Sequence, residues 1–186
     1  MTSELFTPAN LLTMSRMVLV PVFALCMLYG HPVWALIVFV VAGATDLLDG
    51  LIARRTGGQT TLGTWLDPMA DKLLLLTVFL ILTLPHFGLT HRLPVWLTVL
   101  VISRDVGIVL TVAIVNLAVA PRTFTPSPLG KLATVVFLIT AFATLYANYG
   151  SVPPVVLDVL VYASLVVTLV SAADYLRRIM RPAASA

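Results

Sequence analysis

From Val33 to Leu84 the chain reads VWALIVFVVAGATDLLDGLIARRTGGQTTLGTWLDPMADKLLLLTVFLILTL, two mainly apolar runs at about 33–53 and 63–84 with Asp46, Asp49, Asp67 and Asp71 at or near their facing ends. A helix crosses a hydrocarbon core with roughly 20 apolar residues, and both runs are of that length. The same pattern recurs outward in both directions. Apolar runs separated by short polar or Pro/Gly punctuation fall at about 14–30, 33–53, 63–84, 93–117, 129–148 and 155–176. Six such runs nearly exhaust the 186 residues.

Composition agrees. The chain is 60% hydrophobic and 10% charged, where soluble domains carry roughly a quarter charged residues. The expectation is an all-α polytopic membrane protein with six transmembrane helices, forming one domain over residues 1–186. No internal repeat or low-complexity stretch interrupts it, and PRTFTPSPLG from Pro121 to Gly130 is the longest irregular connection. The start, MTSELFTPANLLTMSR, lacks a cationic region followed by a short apolar core and a cleavage site, so no removable signal is expected. Residues 1–13 are expected to lie along the membrane interface before the first span.

The single cysteine, Cys26, lies in the apolar VFALCML and is read as packing, which excludes an intramolecular disulfide and a cysteine-rich metal site. The net charge is +3 without any basic run interleaved with aromatics, so nucleic acid is not an expected partner. Arg16, Arg54, Arg55, Arg122, Lys131, Arg177, Arg178 and Arg181 fall on one side of a six-span topology, and chiefly Arg92 falls on the other. The positive-inside rule then places both termini and the loops after spans two and four in the cytoplasm, with the protein in the cell membrane. Trp34, Trp96 and Tyr149 fall near span ends, where interfacial aromatics belong.

The acidic segment carries the chemistry. A carboxylate near the bilayer costs on the order of 2.5–3.5 kcal/mol on insertion scales, so four in one stretch require compensation. Asp46 and Asp49 are three residues apart and Asp67 and Asp71 four, so each pair shares a helix face. The short connection containing Gly57, Gly58 and Gly63 allows the two helices to fold back antiparallel and bring the pairs together. Hard oxygen ligands suit Mg²⁺, Mn²⁺ or Ca²⁺ and not Zn²⁺, and Mg²⁺ is favoured because it commonly binds a few carboxylates together with substrate phosphates. Gly50 and Ala53 leave the face beside Asp49 nearly free of side chains, and Arg54 adds a planar fork for phosphate oxygens. Pro68 either starts the helix carrying Asp67 and Asp71 or kinks it.

The spacing of Asp46, Asp49, Gly50, Ala53, Arg54, Gly63, Asp67 and Asp71 resembles the signature of the CDP-alcohol phosphatidyltransferase family at every one of its positions. That resemblance implies that the four aspartates hold one or two divalent ions and that Asp71 takes the proton from the acceptor hydroxyl. It places the nucleotide and diphosphate against Gly50, Ala53, Arg54 and Gly63, and it implies a homodimer. CDP-diacylglycerol is the implied donor.

The family is divided by its acceptor. NLLTMSRMVLVPVFAL, LDPMADK and VVTLVSAADYLRR resemble bacterial phosphatidylglycerophosphate synthases, which use sn-glycerol 3-phosphate. ISRDV, with Asp105 where many of those enzymes carry glutamate, is similar instead to CDP-dependent cardiolipin synthases, which use phosphatidylglycerol. For an anionic acceptor Arg104, Arg122 and Lys131 are the candidate cations. Intramembrane aspartates also mark ion pathways, so a transporter is the reading from another class. The acidic cluster gathers near one face rather than through the membrane depth, which counts against it.

Overall fold

The computed structural model describes the backbone of residues 8–56, 61–118 and 127–180, and side chains over 14–45, 72–111 and 127–177. Every regular element in it is helical: α1 (Pro8–Leu28), α2 (Pro32–Thr56), α3 (Thr61–Thr83), α4 (Val95–Ala118), α5 (Pro128–Ala147) and α6 (Pro154–Met180), with one 3-10 turn at Pro85–Phe87. All six apolar runs are thus helices. Two observations concern helix starts. α1 begins at Pro8, so residues 8–13 of the expected approach to the first span are already helical. α3 begins at Thr61 and runs through Pro68, which therefore does not start it.

Proline and glycine set the other boundaries. α1 ends in a Schellman turn: Gly30 takes the left-handed conformation (φ 71°), its N–H donates to the Met27 carbonyl at 3.1 Å, and the His31 N–H donates to Cys26 at 2.8 Å. Pro32 then occupies the first position of α2, where a missing N–H costs nothing.

The helices sort into two compact units. In the first, residues 1–92 with 141–151, α1 packs on both α2 and α3. Phe23 and Met27 of α1, Ala35, Phe39 and Ala42 of α2, and Val78, Phe79 and Leu82 of α3 form the core. Asn148, just past α5, brackets the segment before α4. Its Oδ1 accepts the His91 N–H at 3.0 Å, and its Nδ2 donates to the carbonyls of His91 at 2.9 Å and Thr144 at 2.7 Å.

In the second unit, residues 93–140 with 152–186, α4 packs on α6. Here the polarity of a soluble helix is reversed. α6 buries Ser164, Thr168 and Ser171 and exposes Val155, Val159, Tyr162, Val166 and Leu169. The buried hydroxyls bond to their own helix and to α5: Thr140 Oγ1 and Ser164 Oγ are 2.9 Å apart, and Thr168 donates to the Ser164 carbonyl at 2.6 Å. Small hydroxyl residues inside and bulky aliphatics outside make a helix whose solvent is hydrocarbon. α5 and α6 are each long and apolar enough to cross a membrane.

Candidate active site

The four aspartates all lie on helical backbone, Asp46 and Asp49 in α2 and Asp67 and Asp71 in α3. Their side chains, like those of Gly50, Ala53, Arg54 and Gly63, fall outside the described residues, and Arg122 lies outside them altogether. Asp46 stands ten residues before the end of α2 and Asp71 ten after the start of α3, whereas Asp49 and Asp67 stand seven and six from the same ends. Among the described residues no three His, Cys, Asp or Glu gather as a metal site, so Asp105, Asp158 and Asp174 form no rival cluster.

α1 adds a residue that the sequence reading treated only as cytoplasmic charge. Arg16 is 1% exposed and makes a polar or electrostatic contact. It shares a helix face with Phe23 and Met27, at spacings of seven and eleven residues. Around the tight turn, buried Met27 and Ala35 each lie four residues from His31, and Phe23 and Phe39 each lie eight. Fifteen residues from His31 in the two directions come Arg16 and Asp46. Arg16 lies on α1, the helix that packs on both of the helices carrying the four aspartates. The i, i+7, i+11 spacing from Arg16 to Phe23 and Met27 was the signal in the sequence.

The second unit holds two of the three proposed acceptor cations on adjoining helices. Arg104, in α4, has only 9% of its side chain exposed, and its Nη1 donates to Asp105 Oδ1 at 2.7 Å. Its Nε is buried and has no hydrogen-bond partner among the described residues. Nη2 lies against the first turn of α5, 3.4 Å from where a Cβ on Gly130 would stand. That turn is capped by Ser127, whose Oγ accepts the Gly130 N–H at 2.9 Å, with Pro128 at the first helical position. Serine before proline is a strong helix-start pattern, and the sequence reading passed over it inside the irregular PRTFTPSPLG. Lys131 follows on the same turn and is exposed. A helix N-terminus, a buried guanidinium and an ammonium thus share one locality, which suits an anion.

Residues 6–170 match the family of CDP-alcohol phosphatidyltransferases. The chain belongs to that family. It is 34% identical over 182 residues to a "Probable phosphatidylglycerophosphate synthase" of Mycobacterium tuberculosis, covering 93% of this chain and 81% of that one. It is also similar to proteins named "Cardiolipin synthase (CMP-forming)": 36% identical over 162 residues in Streptomyces coelicolor, covering 81% of this chain and 69% of the relative. The human protein of that name is 40% identical over 127 residues, covering 68% of this chain and 40% of the relative. This CDP-alcohol phosphatidyltransferase is therefore a transferase of phospholipid biosynthesis, and the ion-pathway alternative gives way. With α5 and α6 as candidate spans, it is a membrane protein of a family generally dependent on divalent metal.

Proposed function

We propose that the chain transfers a phosphatidyl group from CDP-diacylglycerol to sn-glycerol 3-phosphate, giving phosphatidylglycerophosphate and CMP. The observation that carries a phosphate-bearing acceptor is the buried Arg104 guanidinium set against the Ser127-capped start of α5, beside Lys131. The likeness, over 93% of this chain, to a relative named as a phosphatidylglycerophosphate synthase favours sn-glycerol 3-phosphate as that acceptor.

Asp46, Asp49, Asp67 and Asp71 are the donor set for Mg²⁺ or Mn²⁺. One or two such ions bound there would neutralise the diphosphate and polarise the phosphorus under attack. Gly50, Ala53, Arg54 and Gly63 receive the nucleotide and diphosphate. Asp71 takes the proton from the glycerol hydroxyl as its oxygen bonds to the phosphorus nearest the lipid. The bond from that phosphorus to the CMP oxygen breaks, and CMP leaves with the electron pair. Because a carboxylate of ordinary basicity is a weak base at neutral pH, proton transfer and attack are concerted.

All six helices span the cell membrane, with both termini and the aspartates at the cytoplasmic face, where the soluble nucleotide and glycerophosphate are met. Exposed Trp34, Trp96 and Tyr149 sit at the opposite ends of their helices, as interfacial anchors. The unit of function is a homodimer.

A second reading, phosphatidylglycerol as acceptor with cardiolipin as product, is favoured by Asp105 in ISRDV and by the relatives named cardiolipin synthase. CMP release by the purified protein with CDP-diacylglycerol and Mg²⁺ decides between them. Turnover with sn-glycerol 3-phosphate is the expected outcome; turnover with phosphatidylglycerol alone would replace the first reading by the second. Silence with both acceptors would overturn both.

A further inference from the structure

Arg104 and Asp105 are consecutive on α4, and consecutive helical side chains point about 100° apart. Their 2.7 Å contact therefore requires both to turn out of their ordinary directions, which fixes the guanidinium sideways across the helix. The donor edge this leaves is specific. Nε is buried and unpaired among the described residues, and Nη2 faces Gly130, where a Cβ would already be in tight contact. The side chain is nine-tenths buried, so water does not screen it as it does exposed Lys131. Asp105 thereby does two things to the acceptor locality. It aims Arg104 at the start of α5, and it places a carboxylate charge against the guanidinium charge.

We infer that Asp105 is a specificity-determining positioning residue: by holding and neutralising Arg104 it weakens the preference of the acceptor site for a doubly charged phosphate monoester over a singly charged phosphodiester. The inference rests on the acceptor reading above. Lys131 and the α5 N-terminus attract either phosphate, so the carboxylate decides how much more the second negative charge gains. A unit charge within about 10 Å in a partly buried site changes that balance by at least about tenfold. The two acceptor chemistries of the proposed reactions differ in this one respect: glycerol 3-phosphate presents a dianion and phosphatidylglycerol a monoanion.

The test separates this inference from the acceptor reading by using probes that need no turnover. Binding of inorganic phosphate and of dimethyl phosphate to the full-length protein in detergent is measured by calorimetry for the wild type, Asp105→Asn and Asp105→Glu, alongside kcat/KM for the two acceptors. The expected result is a rise of about tenfold in the phosphate to dimethyl phosphate affinity ratio for Asp105→Asn. The charge-retaining Asp105→Glu returns the ratio toward the wild type, which a merely structural role would not produce. An unchanged ratio in Asp105→Asn overturns the inference even when the wild type turns over glycerol 3-phosphate. A shifted ratio in a protein that turns over neither acceptor sustains the inference about the site and removes the acceptor reading. Should the amide variant not fold, Asp105→Ser carries the same comparison with the same two outcomes.

Discussion

Gly130→Ala separates stability from acceptor binding at one atom. A Cβ there would stand 3.2 Å from Ser127 Oγ and 3.4 Å from Arg104 Nη2, inside the 3.5–4.0 Å of comfortable contact. Alanine favours a helix over glycine by about 1 kcal/mol. Against that, the added methyl presses on the hydroxyl that caps α5 through the Gly130 N–H at 2.9 Å, and losing such a cap costs about 1 kcal/mol. The two terms nearly cancel, so the melting temperature in detergent should stay within about 3 °C of the wild type. Arg104 cannot yield as easily, being nine-tenths buried and tied to Asp105 at 2.7 Å. A shift of a few tenths of an ångström in its Nη2 misaligns a charge-assisted hydrogen bond of about 1.5–3 kcal/mol, and the acceptor KM should rise about tenfold. The KM for the CDP-lipid should not move. Initial rates of CMP release over a series of acceptor concentrations read both constants. An unchanged acceptor KM at an unchanged melting temperature would refute the placement of the acceptor phosphate beside Arg104 and the start of α5.

Asp67→Asn or Asp46→Asn should lower CMP release at saturating Mg²⁺ by about 100-fold or more, and chelation of the wild type should do the same reversibly; ordinary turnover in either variant would contradict a shared carboxylate metal site. Asn148→Leu removes three hydrogen bonds from the His91 bracket and should destabilise by about 2–3 kcal/mol, seen as a lower melting temperature with unaltered KM values. Thr140→Val and Ser164→Ala, combined in a double-mutant cycle across the 2.9 Å hydroxyl contact, should show a coupling of about 0.6 kcal/mol; a value above about 2 kcal/mol would mean the pair is not in lipid-exposed helices of the usual kind. Arg16→Met removes a buried guanidinium and leaves its polar contact unmade, which should cost about 1–3 kcal/mol, so a lower melting temperature is expected and Arg16→Lys should recover part of it.

The helices were legible because their ends are written in residues with strong local preferences. The expected run 129–148 is α5 at Pro128–Ala147, and 155–176 lies within α6 at Pro154–Met180; in both, proline at the first turn marks the start. Where a start carried a weaker or misread sign the sequence was less informative. Pro8 opens α1 inside a polar stretch, and Pro68 sits seven residues into α3, past the first turn where a proline is tolerated without loss of a backbone hydrogen bond. The capping role of Ser127 was hidden among four neighbouring residues of turn-forming type, Pro121, Pro126, Pro128 and Gly130.

By itself the sequence determined six apolar helices and an eight-residue acidic constellation, because both are periodic in the chain: twenty-residue apolar runs answer to membrane thickness, and three- and four-residue spacings answer to the helical turn. It also determined the family, through side chains whose order along the chain is itself the recognisable pattern. What only the tertiary structure decided was which charges are buried and what they touch. Arg16 and Arg104 look alike in the sequence, each a basic residue within an apolar run, yet one is enclosed at 1% exposure by helix packing and the other is turned against Asp105 and the start of α5. Burial and contact between helices depend on residues distant in the chain, and no local pattern carries that distance.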